Sequence, residues 1–215
     1  MEYGYDHDQC VDRALKPYSR SLPPRDETLW PDFDAYLLSR NLSKDIAKAN
    51  LWYPSQKAGD GFPRIVMPAT SRQPGNVFWQ ARLMHPPGVV GSKGAAPVRY
   101  QSPFGASSGD AVIVVYPRDT RGLPMGYSQR TIESVVVEGP MCALAAAETG
   151  RLGIALMGAT PPAERLELTA KLVRGTMVTV VCDRDRITEF VDVMSYLSSV
   201  GIRCRFVIPK GANDL

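Results

Sequence analysis

The residues of this chain best placed to do chemistry are three carboxylates, Glu138, Asp183 and Asp185. Glu138 closes the run Ser134-Val135-Val136-Val137. The two aspartates close the run Thr176-Met177-Val178-Thr179-Val180-Val181-Cys182. Both runs read as strands buried on both faces, and a helical pattern follows each. Ligands of open parallel sheets bind beyond the carboxyl ends of the strands. Acids gathered at such an edge repel one another unless a divalent cation neutralises them. The implied chemistry is therefore a divalent-metal site. Asp183 and Asp185 would hold metal there, and Glu138 would either ligate it or accept a proton. Each acid also has a plainer reading as a helix cap or a partner of a helix dipole. Capping, however, does not require acids at two strand ends.

The elements that must position these acids can be read from the same stretch. From Ile132 the pattern alternates β-α-β-α-β-α-β, with strands expected near 134–137, 152–157, 176–181 and 203–208. Helices are expected near 140–149, 161–173 and 186–199. Pro140 and Pro161 fall in first turns, where a missing N–H costs nothing, and Gly150, Gly175 and Gly201 follow helices as stops. Right-handed crossovers then predict a parallel sheet with helices on both faces.

Upstream, residues 1–31 read as a proline-broken arm with a short helix near Gln9–Lys16. Residues 32–50 read as two helices, the second capped by Ser43. From residue 62 the period changes to two. Strands are expected over Arg64–Ala69, Val77–Met84, Val98–Ser102 and Ala111–Tyr116, with loops over 85–97 and 117–129. The expected fold class is a C-terminal α/β unit (131–215) preceded by a smaller antiparallel α+β unit (32–130).

Composition narrows the function classes. The chain has 215 residues, of which 44% are hydrophobic and 22% charged, which suits a soluble globular protein. No apolar run approaches the ~18–20 residues needed to span a bilayer. The N-terminal residues lack the pattern of a signal peptide, so the cytoplasm is the expected location. Cys10, Cys142, Cys182 and Cys204, with His7 and His85, form no close four-ligand set, so no structural zinc is expected. A net charge of +3 is too small to indicate a nucleic-acid partner by itself. Yet Arg64, Arg72, Arg82, Lys93 and Arg99 fall in a stretch with few acids. Arg64, Arg82, Lys93 and Arg99 are the candidate nucleotide- and nucleic-acid-binding residues, arginine offering bidentate contact to phosphate. The plainer alternative is a set of solvated charges guarding strand edges. Trp52, Tyr53, Phe78 and Trp79 are either stacking surfaces for bases or core, and core is favoured.

A glutamate after the first strand and an Asp-x-Asp after the third resemble the metal-binding pattern of the TOPRIM domain. Val135-Val136-Val137-Glu138-Gly139-Pro140 and Val180-Val181-Cys182-Asp183-Arg184-Asp185 carry that resemblance. Three upstream segments are similar to the core of DNA primases, especially the phage and plasmid type. They are Tyr36–Ser43 with Ile46-Ala47, Arg64–Ala69 with Val77–Leu83, and Arg99-Tyr100-Gln101-Ser102-Pro103. The resemblance covers roughly residues 33–215. It implies metal-dependent synthesis of RNA primers from NTPs on single-stranded DNA, with Glu138, Asp183 and Asp185 binding Mg²⁺ or Mn²⁺. Other readings are a TOPRIM nuclease, or a catalytically reduced module that binds nucleic acid or a replication partner. Cys142 stands where primases commonly carry an aspartate, and no Ala-Gly follows Asp185. With no zinc site of its own, the chain is expected to depend on a separate helicase or zinc-bearing protein.

Overall fold

The computed structural model describes residues 21–58, 61–72, 77–84, 97–103, 109–117 and 133–209. The helix expected near Gln9–Lys16 lies outside these residues.

Two short helices open the fold. A 3-10 turn over Glu27–Leu29, capped by Asp26, leads into α1 (Trp30–Leu38). Pro31 in the first turn of α1 sacrifices no hydrogen bond. The second helix, α2 (Lys44–Ala49), starts at Ser43, whose hydroxyl accepts from the Ile46 amide at 3.2 Å, the expected cap. Lys44 and Lys48 of α2 both reach Asp34 of α1, at 2.9 and 2.7 Å, and fix the angle between the helices.

Four antiparallel strands follow: β1 (Tyr53–Ser55), β2 (Arg64–Pro68), β4 (Trp79–Leu83) and β5 (Tyr100–Gln101), in the order β1-β2-β4-β5. Between β2 and β4 lies β3 (Thr70–Ser71), separated from β2 by Ala69 alone, and it belongs to a different sheet. The chain thus bends from one sheet into the other at Pro68-Ala69.

The second sheet has six strands in the order β10-β9-β7-β8-β6-β3. Its parallel part is β7 (Glu133–Val137), β8 (Leu152–Ala155), β9 (Met177–Val181) and β10 (Cys204–Val207), and β6 (Ala111–Val115) joins it antiparallel to β8. The connecting helices are α3 (Pro140–Glu148), α4 (Ala163–Val173) and α5 (Ile187–Ser199). Gly150 and Gly175 end α3 and α4 with φ near +80°, as their positions in the sequence predict.

The location of β6 differs from the sequence expectation, which grouped Ala111–Tyr116 with the antiparallel unit. All five β6 residues are buried, a pattern that needs cover on both faces. Only the larger sheet provides that cover. An apolar run declares its burial but not its pairing partner, so periodicity could not assign this strand.

Alternation along the strands divides the interior. Val135 and Val137 point with Ile113 and Val115 to a core shared with Phe33, Leu37, Ile65, Met67 and Leu144, which joins the two sheets. Val136, Val178 and Val180 point the other way, onto Leu168, Phe190, Val193 and Leu197 of α4 and α5. Helix α3 packs so tightly on β8 that a Cβ at Gly153 would lie 2.1 Å from the Ala143 carbonyl oxygen. Trp52, Tyr53, Phe78 and Trp79 are all buried, so the core reading holds for these aromatics.

Candidate active-site cleft

Glu138 leaves the carboxyl end of β7, and Asp183 lies just beyond the carboxyl end of β9. These strands are parallel neighbours with Val136 opposite Val180, so the two acids emerge at one edge of the sheet. Neither side chain makes a capping hydrogen bond, although Asp183 holds the N-cap position of the turn that follows it. The N-cap of α3 is Gly139, and the Asp183 side chain makes no cap bond to the 3-10 turn Arg184–Arg186 that it precedes. Asp185 lies inside that turn with its side chain 76% exposed, and Arg186 stands 3.6 Å from it. The same guanidinium reaches Glu189, in the first turn of α5, at 3.3 Å.

These charges act on one another. Burial pushes the Glu138 carboxyl above its ordinary range. Arg186 opposes that shift, and Asp183, Asp185 and Glu189 reinforce it. Arg186 is therefore the internal counter-ion of a four-acid group. Glu189 escaped sequence analysis because an acid in a first helical turn reads as an ordinary response to the helix dipole.

The basic side of the cleft comes from the antiparallel sheet. Arg82 of β4 is almost fully buried, donates from Nε to the Tyr36 hydroxyl at 2.8 Å, and lies 4.8 Å from the centre of the Tyr100 ring. Arg99 precedes β5 and is exposed, and its carbonyl accepts from the Leu83 amide at 3.1 Å. Cys142, one turn along α3 from Glu138, stands between the two sides. Burial, then Asp183 and Glu138, raise its thiol, while Arg82 and Arg99 oppose the rise.

A cavity of about 450 Å³ joins these groups, with Arg82, Arg99, Tyr100, Glu138, Cys142 and Asp183 all on its wall. Its size suits a nucleotide-sized ligand. The structure thus brings Glu138, Asp183, Arg82 and Arg99 to one cleft and places Asp185 on its outer flank. Arg64 is a different case. It is fully buried, and its guanidinium donates to the carbonyls of Val98 (2.9 Å) and Ala81 (3.4 Å). It ties β4 to the segment that leads into β5 rather than facing a ligand, contrary to the sequence expectation. A basic residue at a strand start gives no local sign of whether it is buried. Lys93 lies outside the described residues.

Among the described residues, no three His, Cys, Asp or Glu side chains converge closely enough to enclose a metal ion. Magnesium does not need such a cage. It binds through one or two carboxylates and completes its octahedron with water and substrate phosphates. Glu138 and Asp183 supply hard oxygen donors of that kind, so the donor set fits a metal that arrives with a phosphate. No described helix is long and apolar enough to cross a membrane.

The same arrangement of two sheets is found in solved primases. The zinc-binding and RNA polymerase domains of the Aquifex aeolicus primase superpose with a TM-score of 0.59 at 17% identity, over 95% of this chain and 55% of that one. This chain has the fold of a primase catalytic core. A structure of the DnaG catalytic core is similar too, with a TM-score of 0.55, 16% identity, and coverage of 96% of this chain and 72% of that one. The chain therefore spans about half the length of the Aquifex primase chain it matches. No protein-family model and no curated protein matches it in sequence. Within the primase-core fold, the cleft lies where the antiparallel sheet meets the carboxyl edge of the parallel one.

Proposed function

We propose that this chain is the catalytic core of a DNA primase, making short RNA primers from NTPs on single-stranded DNA in phage or plasmid replication. One observation carries the reading. Within a primase-core fold, a single cleft holds Glu138 and Asp183 on one wall and Arg82 and Arg99 on another. Nucleotidyl transfer needs this division. Carboxylates hold Mg²⁺ or Mn²⁺, which neutralises the phosphates and activates the attacking hydroxyl. Arginines orient the triphosphate or the template backbone. Asp183 and Glu138 would hold the metal, with Asp185 as a further ligand. Arg99 is the more accessible arginine, while Arg82 is pre-oriented by Tyr36 and Tyr100. The protein would work in the cytoplasm, with a separate helicase or zinc-bearing protein aiding start-site choice.

A second reading, a nucleic-acid-binding module with reduced catalysis, is favoured by one feature. Arg186 already neutralises part of the acid group, so that among the described residues no three acids converge on a free cation site. Incubation with single-stranded DNA, labelled NTPs and Mn²⁺ or Mg²⁺ separates the readings. Short RNA products are expected for the primase, loss of input DNA would indicate a nuclease, and binding without either would leave the module.

A further inference from the structure

The cleft has a second polar end that the proposed chemistry does not use. Glu133, at the start of β7, accepts from Arg151 Nε at 2.8 Å, from Thr179 Oγ1 and from Arg205. Thr179 in turn accepts from Arg205 Nε at 2.7 Å, and Arg151 also donates to Thr149 at 2.8 Å. Two guanidinium groups thus share one carboxylate, leaving a net positive charge. Thr179 first, then Arg151, hold the Glu133 carboxyl below its usual range, so the carboxylate stays ionised and the arginines stay oriented. Among the described residues, no acceptor takes Arg151 Nη2 or Arg205 Nη1. Both side chains remain open to solvent, at 39% and 51% exposure. Fixed, exposed guanidinium edges with spare N–H groups are suited to an anion, and to phosphate most of all.

Strand register ties this end to the carboxylates. Val181 pairs with Val207 and lies beside Val137, so an apolar row separates the two polar ends on one face of β7, β9 and β10. From Glu133 to Glu138 the strand advances roughly 16 Å at about 3.3 Å per residue. A stacked single strand carries one phosphate per about 3.4 Å, so that span corresponds to roughly five nucleotides, and fewer when the strand is stretched.

We propose that Arg151 and Arg205 form a second phosphate station for a single nucleic-acid strand, whose bases lie on Val181 and Val207, the accessible part of that row, while its reacting end lies at Glu138 and Asp183. The inference rests on the nucleic-acid reading above and extends it along the cleft. It is tested by fluorescence anisotropy with single-stranded oligonucleotides of about two and about eight nucleotides across a salt series. The longer probe can reach both stations and the shorter only one.

For the combined variant Arg151→Gln/Arg205→Gln, the longer probe should bind several-fold more weakly, with a log–log salt slope flattened by about 0.7 per lost contact. The dinucleotide should be unaffected. Arg99→Gln should weaken both probes. Should the longer probe bind the double variant with wild-type affinity and slope while Arg99→Gln loses binding, the second station is overturned and the primase reading survives. Failure of the wild-type chain to bind either probe would remove both. If the double variant does not fold, hydrogen exchange on the wild-type protein decides. The longer probe, and not the dinucleotide, should slow exchange in Cys204–Val207, and unchanged exchange there overturns the proposal.

Discussion

Glu138 and Asp183 meet at the edge of two neighbouring parallel strands, close enough that, after burial and against Arg186, the charge of Asp183 helps raise the Glu138 carboxyl. Such a pair is poised for a cation, because a divalent ion relieves the repulsion that the fold imposes.

The first prediction concerns that cation. Asp183→Asn with Asp185→Asn should abolish Mn²⁺ and Mg²⁺ binding by calorimetry while leaving the fold intact or slightly stabilised, since clustered charge is relieved. Arg186→Gln should act in the opposite direction. Without its guanidinium beside Asp185 and Glu189, Mn²⁺ should bind several-fold more tightly and the ion-free protein should melt lower. Equal Mn²⁺ affinity in wild type and Arg186→Gln would show that the arginine does not compete with metal.

The three arginines should separate by their surroundings. Arg99→Ala should flatten the salt dependence of DNA binding by about 0.7 per phosphate contact. Arg82→Ala should weaken binding and also cost about 1–3 kcal/mol, because it strands the Tyr36 hydroxyl. Arg64→Met should cost a similar ~1–3 kcal/mol by unpairing the Val98 and Ala81 carbonyls, with no change in salt slope. Urea unfolding and anisotropy on the same preparations check all three.

Gly153→Ala should destabilise the protein by about 1–3 kcal/mol or more, because the added methyl would sit 2.1 Å from the Ala143 carbonyl oxygen and force α3 off β8. Since α3 carries Cys142 and begins beside Glu138, metal affinity should fall with it. A variant as stable as wild type in urea would refute this packing.

Glu133 should leave a signature in acid. Its folded-state carboxyl lies below the ordinary 4.5, so its stabilisation is present above that value and is lost as pH falls through the folded value. Glu133→Gln should therefore be less stable than wild type near neutrality, with the gap closing as pH falls below the ordinary carboxylate range. A gap independent of pH would mean the carboxylate's charge is not what Arg151 and Arg205 recognise.

Much of the architecture is legible in the linear chain because it depends on neighbours a few residues away. The β-α alternation after Ile132, the Ser43 cap, Pro140 in the first turn of α3 and the glycine stops are local effects of backbone geometry and short-range hydrogen bonding, whereas Pro161 lies just outside α4, before its N-cap Pro162. The emergence of Glu138 and Asp183 at one edge follows almost as directly, because parallel strands must present their carboxyl ends together. Other features depend on which surfaces meet, and no local pattern encodes that. Residues Arg64 and Arg82 look equivalent along the chain, yet one is enclosed between strands while the other lines the cleft. Strand β6 shows its burial but not that β8 is its partner. The grouping of Glu133, Arg151 and Arg205 exists only because β7, the start of β8 and β10 are brought together at one end of the sheet. Sequence determined the elements and the acid edge, since these rest on short-range geometry. Tertiary structure alone decided which charges are buried, which are paired and which share a cleft, since those depend on contacts between residues far apart in the chain.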